Sequence, residues 1–135
     1  MKYKIVMTAV LYLISLSVRA NIDKNCMAHA VSNLDMKRCS NMAYEYADKE
    51  LNTIYNQFIN ECKKSQNKDS NDIVDRLKSA QEAWIKFRDA NCSFIAASML
   101  GGSGEMLVQS ECLGEMTRSR TIELKKIERE ILNRC

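Results

Sequence analysis

From Ser32 onward the apolar residues recur every three or four positions. Met36, Cys39, Met42/Ala43, Tyr46/Ala47, Ile54/Tyr55, Phe58/Ile59 and Cys62 form one such row. This spacing predicts a long amphipathic helix, with a break near its start left open. Ser32 and Asp35 form a capping-box-like start in which Asp replaces the usual Glu or Gln. Lys63 to Asn71 is polar throughout and reads as a loop. Asp69 or Ser70 is positioned to cap a second helix with the stripe Ile73, Leu77, Ala80, Trp84, Phe87/Arg88, Cys92, Ile95 and Met99. The Gly101-Gly102-Ser103-Gly104 turn ends that helix. After a short irregular piece, Leu113, Met116, Arg120, Leu124, Ile127 and Ile131 form a third stripe. No strand-like alternation, repeat or low-complexity tract is visible. The expected fold is all-α, a compact bundle of three main helices preceded by a short N-terminal segment.

The first twenty residues follow a different pattern. Lys2 and Lys4 precede an uncharged, mainly apolar run from Ile5 to Val18, and Val18-Arg19-Ala20 offers small residues at a cleavage site. That is the layout of a secretory signal, and its core is too short to span a bilayer as a helix, which takes about twenty residues. Residues 1–20 are therefore assigned as a signal peptide and 21–135 as a single exported domain, periplasmic or secreted, with no stable membrane insertion after cleavage. The chain has 135 residues, 20 Lys and Arg, 17 Asp and Glu, and a formal charge of +3. Lys2, Lys4 and Arg19 carry that excess, so the remainder balances 17 basic against 17 acidic groups. A neutral domain lacks the electrostatic footprint of a nucleic-acid binder.

Export changes the reading of the six cysteines, all of which lie beyond residue 20. An even count in a small exported chain indicates disulfides, and six cysteines allow fifteen pairings. The helical layout selects among them. Short connections make sequential helices antiparallel, so the first and third run parallel. Cys62 and Cys135, each near the end of its helix, then share one end of the bundle. Cys26 and Cys39 lie at the entry to the first helix, and Cys92 and Cys112 flank the glycine turn. The most economical pairing is Cys26–Cys39, Cys62–Cys135 and Cys92–Cys112. With all six cysteines structural and a single histidine, His29, there is no metal-ligand spacing, and no cofactor is implied.

Several stripe positions hold residues that a simple core would not contain. Asp48, Leu51, Asn52 and Tyr55 share one face of the first helix; Gln81, Trp84 and Arg88 share a face of the second; Arg120 interrupts the apolar row of the third. An unpaired buried guanidinium costs several kcal/mol. Asp48 is thus the expected partner of Arg88, Arg120 or both. We read Asp48, Asn52, Tyr55, Gln81, Trp84, Arg88 and Arg120 as a satisfied polar network that fixes helix register, with an interhelical ligand site as the competing reading.

The same residues carry a family resemblance. Ser32, Asp35, Met36 and Cys39 are followed by Tyr44, Ala47, Asp48, Leu51, Asn52 and Tyr55. Then come Leu77, Ala80, Gln81, Ala83, Trp84, Ile85, Phe87, Arg88, Asp89, Ala90 and Cys92. With Gly101-Gly102-Ser103, Cys112 and Thr117-x-x-Arg120-Thr121-x-x-Leu124, this order resembles the LprI-type lysozyme-inhibitor family over nearly the whole mature chain. The resemblance implies a small exported disulfide-bonded helical domain that binds protein rather than catalysing a reaction. Two features depart from the name-giving type, which is a lipoprotein: no lipid-acceptor cysteine follows the signal, and Cys62 with Cys135 looks like an additional pair.

Catalytic alternatives find little support. Gly102-Ser103-Gly104 would need a glycine at 105 to form a nucleophile elbow, and Glu105 stands there. For inhibition, the segment from Leu100 to Thr117 holds Glu105, Glu111 and Glu115 and no Lys or Arg. Its turn residues Gly101, Gly102, Ser103, Gly104 and Glu105 are the candidate contact loop, offering amide and hydroxyl donors to a cleft with catalytic carboxylates. His29 is a second candidate donor. The implied partner is a lysozyme or another cell-envelope protein. The alternative function is a periplasmic binding or interaction module without lysozyme inhibition, serving an envelope partner, a toxin or a small ligand near Asp48, Arg88 and Trp84.

Overall fold

A computed structural model describes residues 25–65 and 67–135. The signal assigned to residues 1–20 lies outside the described residues. A helical turn over residues 25–28 is followed by α1 (Asn33–Lys64), α2 (Ser70–Ala96), a 3₁₀ turn (Ala97–Met99) and α3 (Glu105–Ile131). There is no strand among the described residues. The all-α architecture is the expected one, and α1 runs without a break.

Local chemistry explains where the helices begin. The Ser32 hydroxyl accepts the Asp35 amide at 3.1 Å, and Asp35 in turn accepts the Ser32 amide at 3.1 Å, closing the capping box. The Ser32 hydroxyl also donates to Asp35 Oδ2 at 2.7 Å, and this bond, with that from the Ser32 amide, holds the Asp35 carboxyl below its ordinary value. The start of α2 works differently from expectation, since Asp69 occupies the cap position in a helical conformation with no side-chain capping bond. Instead the Ser70 hydroxyl turns away and donates to the Cys135 main-chain oxygen at 2.6 Å. The connection between α1 and α2 is also shorter than predicted, because Lys63, Lys64 and Asn71 are helical. The irregular piece expected before the third stripe is absent: α3 begins directly after Gly104, so Glu111 and Glu115 lie on a helix rather than in a loop.

All three disulfides are those the helical layout selects: Cys26–Cys39, Cys62–Cys135 and Cys92–Cys112, with Cα separations of 5.7, 4.9 and 5.5 Å. Cys62–Cys135 fixes the C-terminal ends of α1 and α3 together, so these helices run parallel and α2 returns between their ends. Gly114 permits a close approach of α3 to α1. A Cβ there would lie 3.5 Å from the Tyr44 Cα and 3.3 Å from Arg118 Nη1. The apolar core is concentrated at the Cys62–Cys135 end, where Phe58, Cys62, Val74 and Cys135 are buried beneath Ile59, Ile73, Leu77, Ile127, Ile131 and Leu132.

The inward face of α2 departs from the predicted stripe. Val74, Gln81, Arg88, Cys92 and Ala96 are buried, whereas Ala80, Phe87, Ile95 and Met99 are exposed, Phe87 by 61%. Phe87 and Arg88 are one residue apart and so about 100° apart around the helix. Only one of them can face inward. Arg88 wins because α1 and α3 present partners for its guanidinium, a preference that hydrophobic periodicity does not report.

Cys62–Cys135 joins residues 73 positions apart. Replacing both by serine should lower the unfolding free energy by roughly 4 kcal/mol. Urea unfolding followed by circular dichroism measures this, and the loss should exceed that from the same exchange at Cys26 and Cys39, which close a shorter loop.

Candidate functional site

Two constellations hold the residues that the sequence singles out. The first is a buried node around Arg88, which is 5% exposed. Its Nη1 donates to Asp48 Oδ1 on α1 at 3.2 Å and to Thr117 Oγ1 on α3 at 3.2 Å, while Nε donates to Asp89 Oδ1 at 2.9 Å. The guanidinium carbon lies 5.2 Å from the Trp84 ring centre and 5.4 Å from that of Tyr44. Burial works to lower the Arg88 pKa, but the hydrogen bond and charge of Asp89 and the bond to Asp48 act against it, and the net shift is upward. Arg88 therefore stays charged inside the bundle. Burial likewise pushes the Tyr44 phenol up. Asn52 completes the α1 side by donating to Asp48 Oδ2 at 2.9 Å.

Arg120 joins this node through a ring rather than through Asp48. Its Nε donates to Gln81 Oε1 at 3.1 Å, its Nη1 to Glu123 at 2.7 Å, and its guanidinium carbon is 5.7 Å from the Trp84 ring. The expectation that Asp48 could serve both arginines fails because Glu123, one turn along α3, satisfies Arg120 locally. Tyr55 stands apart as well: it is half-buried, its phenol pushed up by burial, with Lys78 and Glu82 as its charged neighbours rather than the node. Tyr44, Asp89, Thr117 and Glu123 belong to the node although the stripe pattern does not assign them to it. Tyr44, Asp89 and Thr117 are signalled by the family resemblance, and Glu123 only by its offset of three from Arg120.

The second constellation is the tip formed by the glycine turn and the start of α1. Gly101 has φ of 72°, a left-handed conformation that favours glycine. A Cβ on Gly102 would sit 3.0 Å from the Met99 carbonyl oxygen. Glu105 accepts the Gly101 amide at 3.1 Å, so this carboxylate braces the turn. Asn33 Nδ2 donates to Ser103 Oγ at 2.8 Å and ties the turn to the N-terminus of α1. His29 is exposed on the neighbouring segment, its amide bonded to the Cys26 carbonyl at 3.2 Å. Cys26–Cys39 and Cys92–Cys112 hold the two sides of this end.

The tip also exposes large apolar side chains that the periodicity does not single out. Val31 is 95% exposed, Leu100 78%, Met106 65% and Leu34 63%. They flank Asn33 and Ser103, the two residues that bond across the tip. Their signal in the sequence is weak, since isolated apolar residues at helix ends resemble continuations of a core stripe.

Glu128 is a third buried polar group, and the stripe pattern gives no sign of it. It is 9% exposed, and its Oε1 has no hydrogen-bond partner among the described residues. Burial, then repulsion from Glu61, raises its pKa above the ordinary glutamate value of 4.5, with Lys125 opposing. The described residues contain no group of three or more His, Cys, Asp or Glu side chains that could hold a metal ion. No helix among them is long and apolar enough to cross a membrane.

Comparison with known proteins agrees with this architecture. Residues 26–124 match the family model for the lysozyme inhibitor LprI. The chain belongs to the LprI lysozyme-inhibitor family. An uncharacterized protein of Rhizobium meliloti (strain 1021), R02472, is 38% identical over 105 residues, covering 73% of this chain and 75% of that protein. The crystal structure of a DUF1311 family protein from Pseudomonas putida KT2440 superimposes with a TM-score of 0.61 at 21% identity, over 69% of this chain and 90% of that one. That likeness concerns the fold alone.

Because the folded Glu128 holds its proton more tightly than the unfolded chain does, its contribution to stability falls as pH rises through the range above 4.5. Glu128→Gln should therefore raise stability near neutral pH by about 1 kcal/mol, a melting shift of a few degrees. Below pH 4 the advantage should vanish, as thermal melts of both proteins across pH will show.

Proposed function

We propose that the protein is an exported inhibitor that binds a lysozyme through the stapled tip, acting by protein–protein contact and carrying out no reaction. The observation that carries this reading is the exposed apolar cluster Val31, Leu34, Leu100 and Met106 around a braced turn. Large apolar side chains left exposed beside one braced turn are the surface this reading offers for association. The two disulfides and the Asn33–Ser103 bond lower the ordering cost of association. Family membership supplies the class of partner.

The candidate residues take separate roles in this reading. Gly101, Gly102 and Gly104 shape the turn, and Glu105 braces it rather than reaching the partner. Ser103, whose oxygen already accepts from Asn33, keeps its hydroxyl proton for the partner, and the exposed His29 is a further candidate donor. Glu111 and Glu115 extend along the exposed flank of α3 and suit the rim of a basic protein. Export is supported by the signal-like first twenty residues and by three disulfides, which persist in oxidising compartments. The polar node is not a ligand site in this reading, because Nε and Nη1 of Arg88 are already engaged by acceptors from all three helices.

Purified disulfide-intact protein should slow lysis of peptidoglycan by at least one of the chicken-, goose- or invertebrate-type lysozymes at near-stoichiometric ratios. Val31→Asp combined with Leu100→Asp should weaken inhibition by about a hundredfold while leaving helicity intact. Absence of inhibition across the whole panel would refute the reading.

A further inference from the structure

The end of the bundle opposite the tip contains a groove that the inhibitory reading does not use. It lies between α2 and α3 and has a volume of about 570 Å³. Phe58 and Leu124, both essentially inaccessible, form its floor, while Ile73 and Leu77 on one side and Ile127 and Ile131 on the other form half-buried walls. Its charged lining is unbalanced: Arg76, Arg120 and Arg134 against Glu130. Asp72 and Glu123 offset two of these arginines, so Arg134 is the cation left to engage a ligand at the groove. The three arginines differ in availability. Arg76 is bonded to Asp72 at 2.7 Å and Arg120 to Glu123 at 2.7 Å. Arg134 is exposed and has no acidic partner among the described residues.

We propose that this groove is a binding site for a single-chain anionic amphiphile, a medium-length acyl chain with a carboxylate head. The volume falls in the range of small-molecule sites, and the lining has their composition of an apolar body with a few placed polar groups. Charge complementarity sets the orientation. The head group pairs with Arg134, the free guanidinium at one end, and the chain lies along Ile131, Ile127 and Leu77 toward Ala80. The distance from Leu124 to Ile131 along α3, about 10 Å, gives the tail an apolar run to cover. The site shares no named residue with the tip, so it stands or falls independently of lysozyme inhibition.

Calorimetric titration of the disulfide-intact protein with decanoate below its micellar concentration tests this directly. One decanoate should bind per chain, about tenfold more tightly than decyltrimethylammonium, the matched cation. Arg134→Glu, an exposed substitution, should erase that preference. Ala80→Phe, also at an exposed position, should fill the groove and weaken decanoate at least about tenfold with an unchanged circular dichroism spectrum. Equal affinity for anion and cation, or binding that neither substitution alters, would overturn the proposal. Association with phosphatidylglycerol vesicles in the absence of binding to monomeric decanoate would also overturn it, in favour of a membrane surface.

Discussion

A guanidinium removed from water must find oxygen acceptors at fixed positions, and in this protein those positions come from three different helices. Arg88 projects from α2 and is met by Asp48 of α1 and Thr117 of α3, with Asp89 on its own helix. Trp84 and Tyr44 pack against its flat faces. Sliding any helix by one residue would break a bond to a buried charge, which costs several kcal/mol. The apolar core cannot impose the same constraint, because aliphatic contacts tolerate small slips. In this reading the node holds the register together with the interhelical disulfides Cys62–Cys135 and Cys92–Cys112, and the hydrophobic cluster around Phe58 supplies bulk burial at the other end.

That division separates the molecule along its length. At one end the disulfide between Cys62 and Cys135 and the Ser70 hydroxyl tie the chain terminus to the starts and ends of the helices. At the other end Cys26–Cys39 and Cys92–Cys112 bracket a turn whose backbone is braced by Glu105 and Asn33. Val31, Leu34, Leu100 and Met106 are exposed at this braced end, and in the proposed reading the rigid frame makes them useful for association rather than costly to order.

Much of this architecture is legible in the sequence. Helical spacing locates the three helices, and the placement of cysteines near helix ends is sufficient to choose one pairing among fifteen. The Ser32 cap and the Asp48–Arg88 contact are legible for the same reason, that short-range spacing and charge leave few alternatives. The departures have physical causes. Periodicity treats Phe87 and Arg88 as near equivalents, yet acceptors supplied by two other helices turn Arg88 inward and leave Phe87 in solvent. Charge matching makes Asp48 a candidate for Arg120, but Glu123 one turn away is nearer than any partner on another helix. The exposed tip residues Val31 and Leu100 cannot be distinguished from core positions by spacing, because exposure depends on where neighbouring elements stop.

In the proposed reading Arg88 is a structural node and not a contact site, and one variant separates the two roles. In Arg88→Met the charge is lost while much of the side-chain length is kept. Its urea-unfolding free energy and its inhibition of a lysozyme sensitive to the parent protein are measured together, at a temperature where circular dichroism shows the variant folded. The expected result is a loss of about 3 kcal/mol in stability with inhibition unchanged. Full stability combined with lost inhibition would contradict this role and move the functional site into the node.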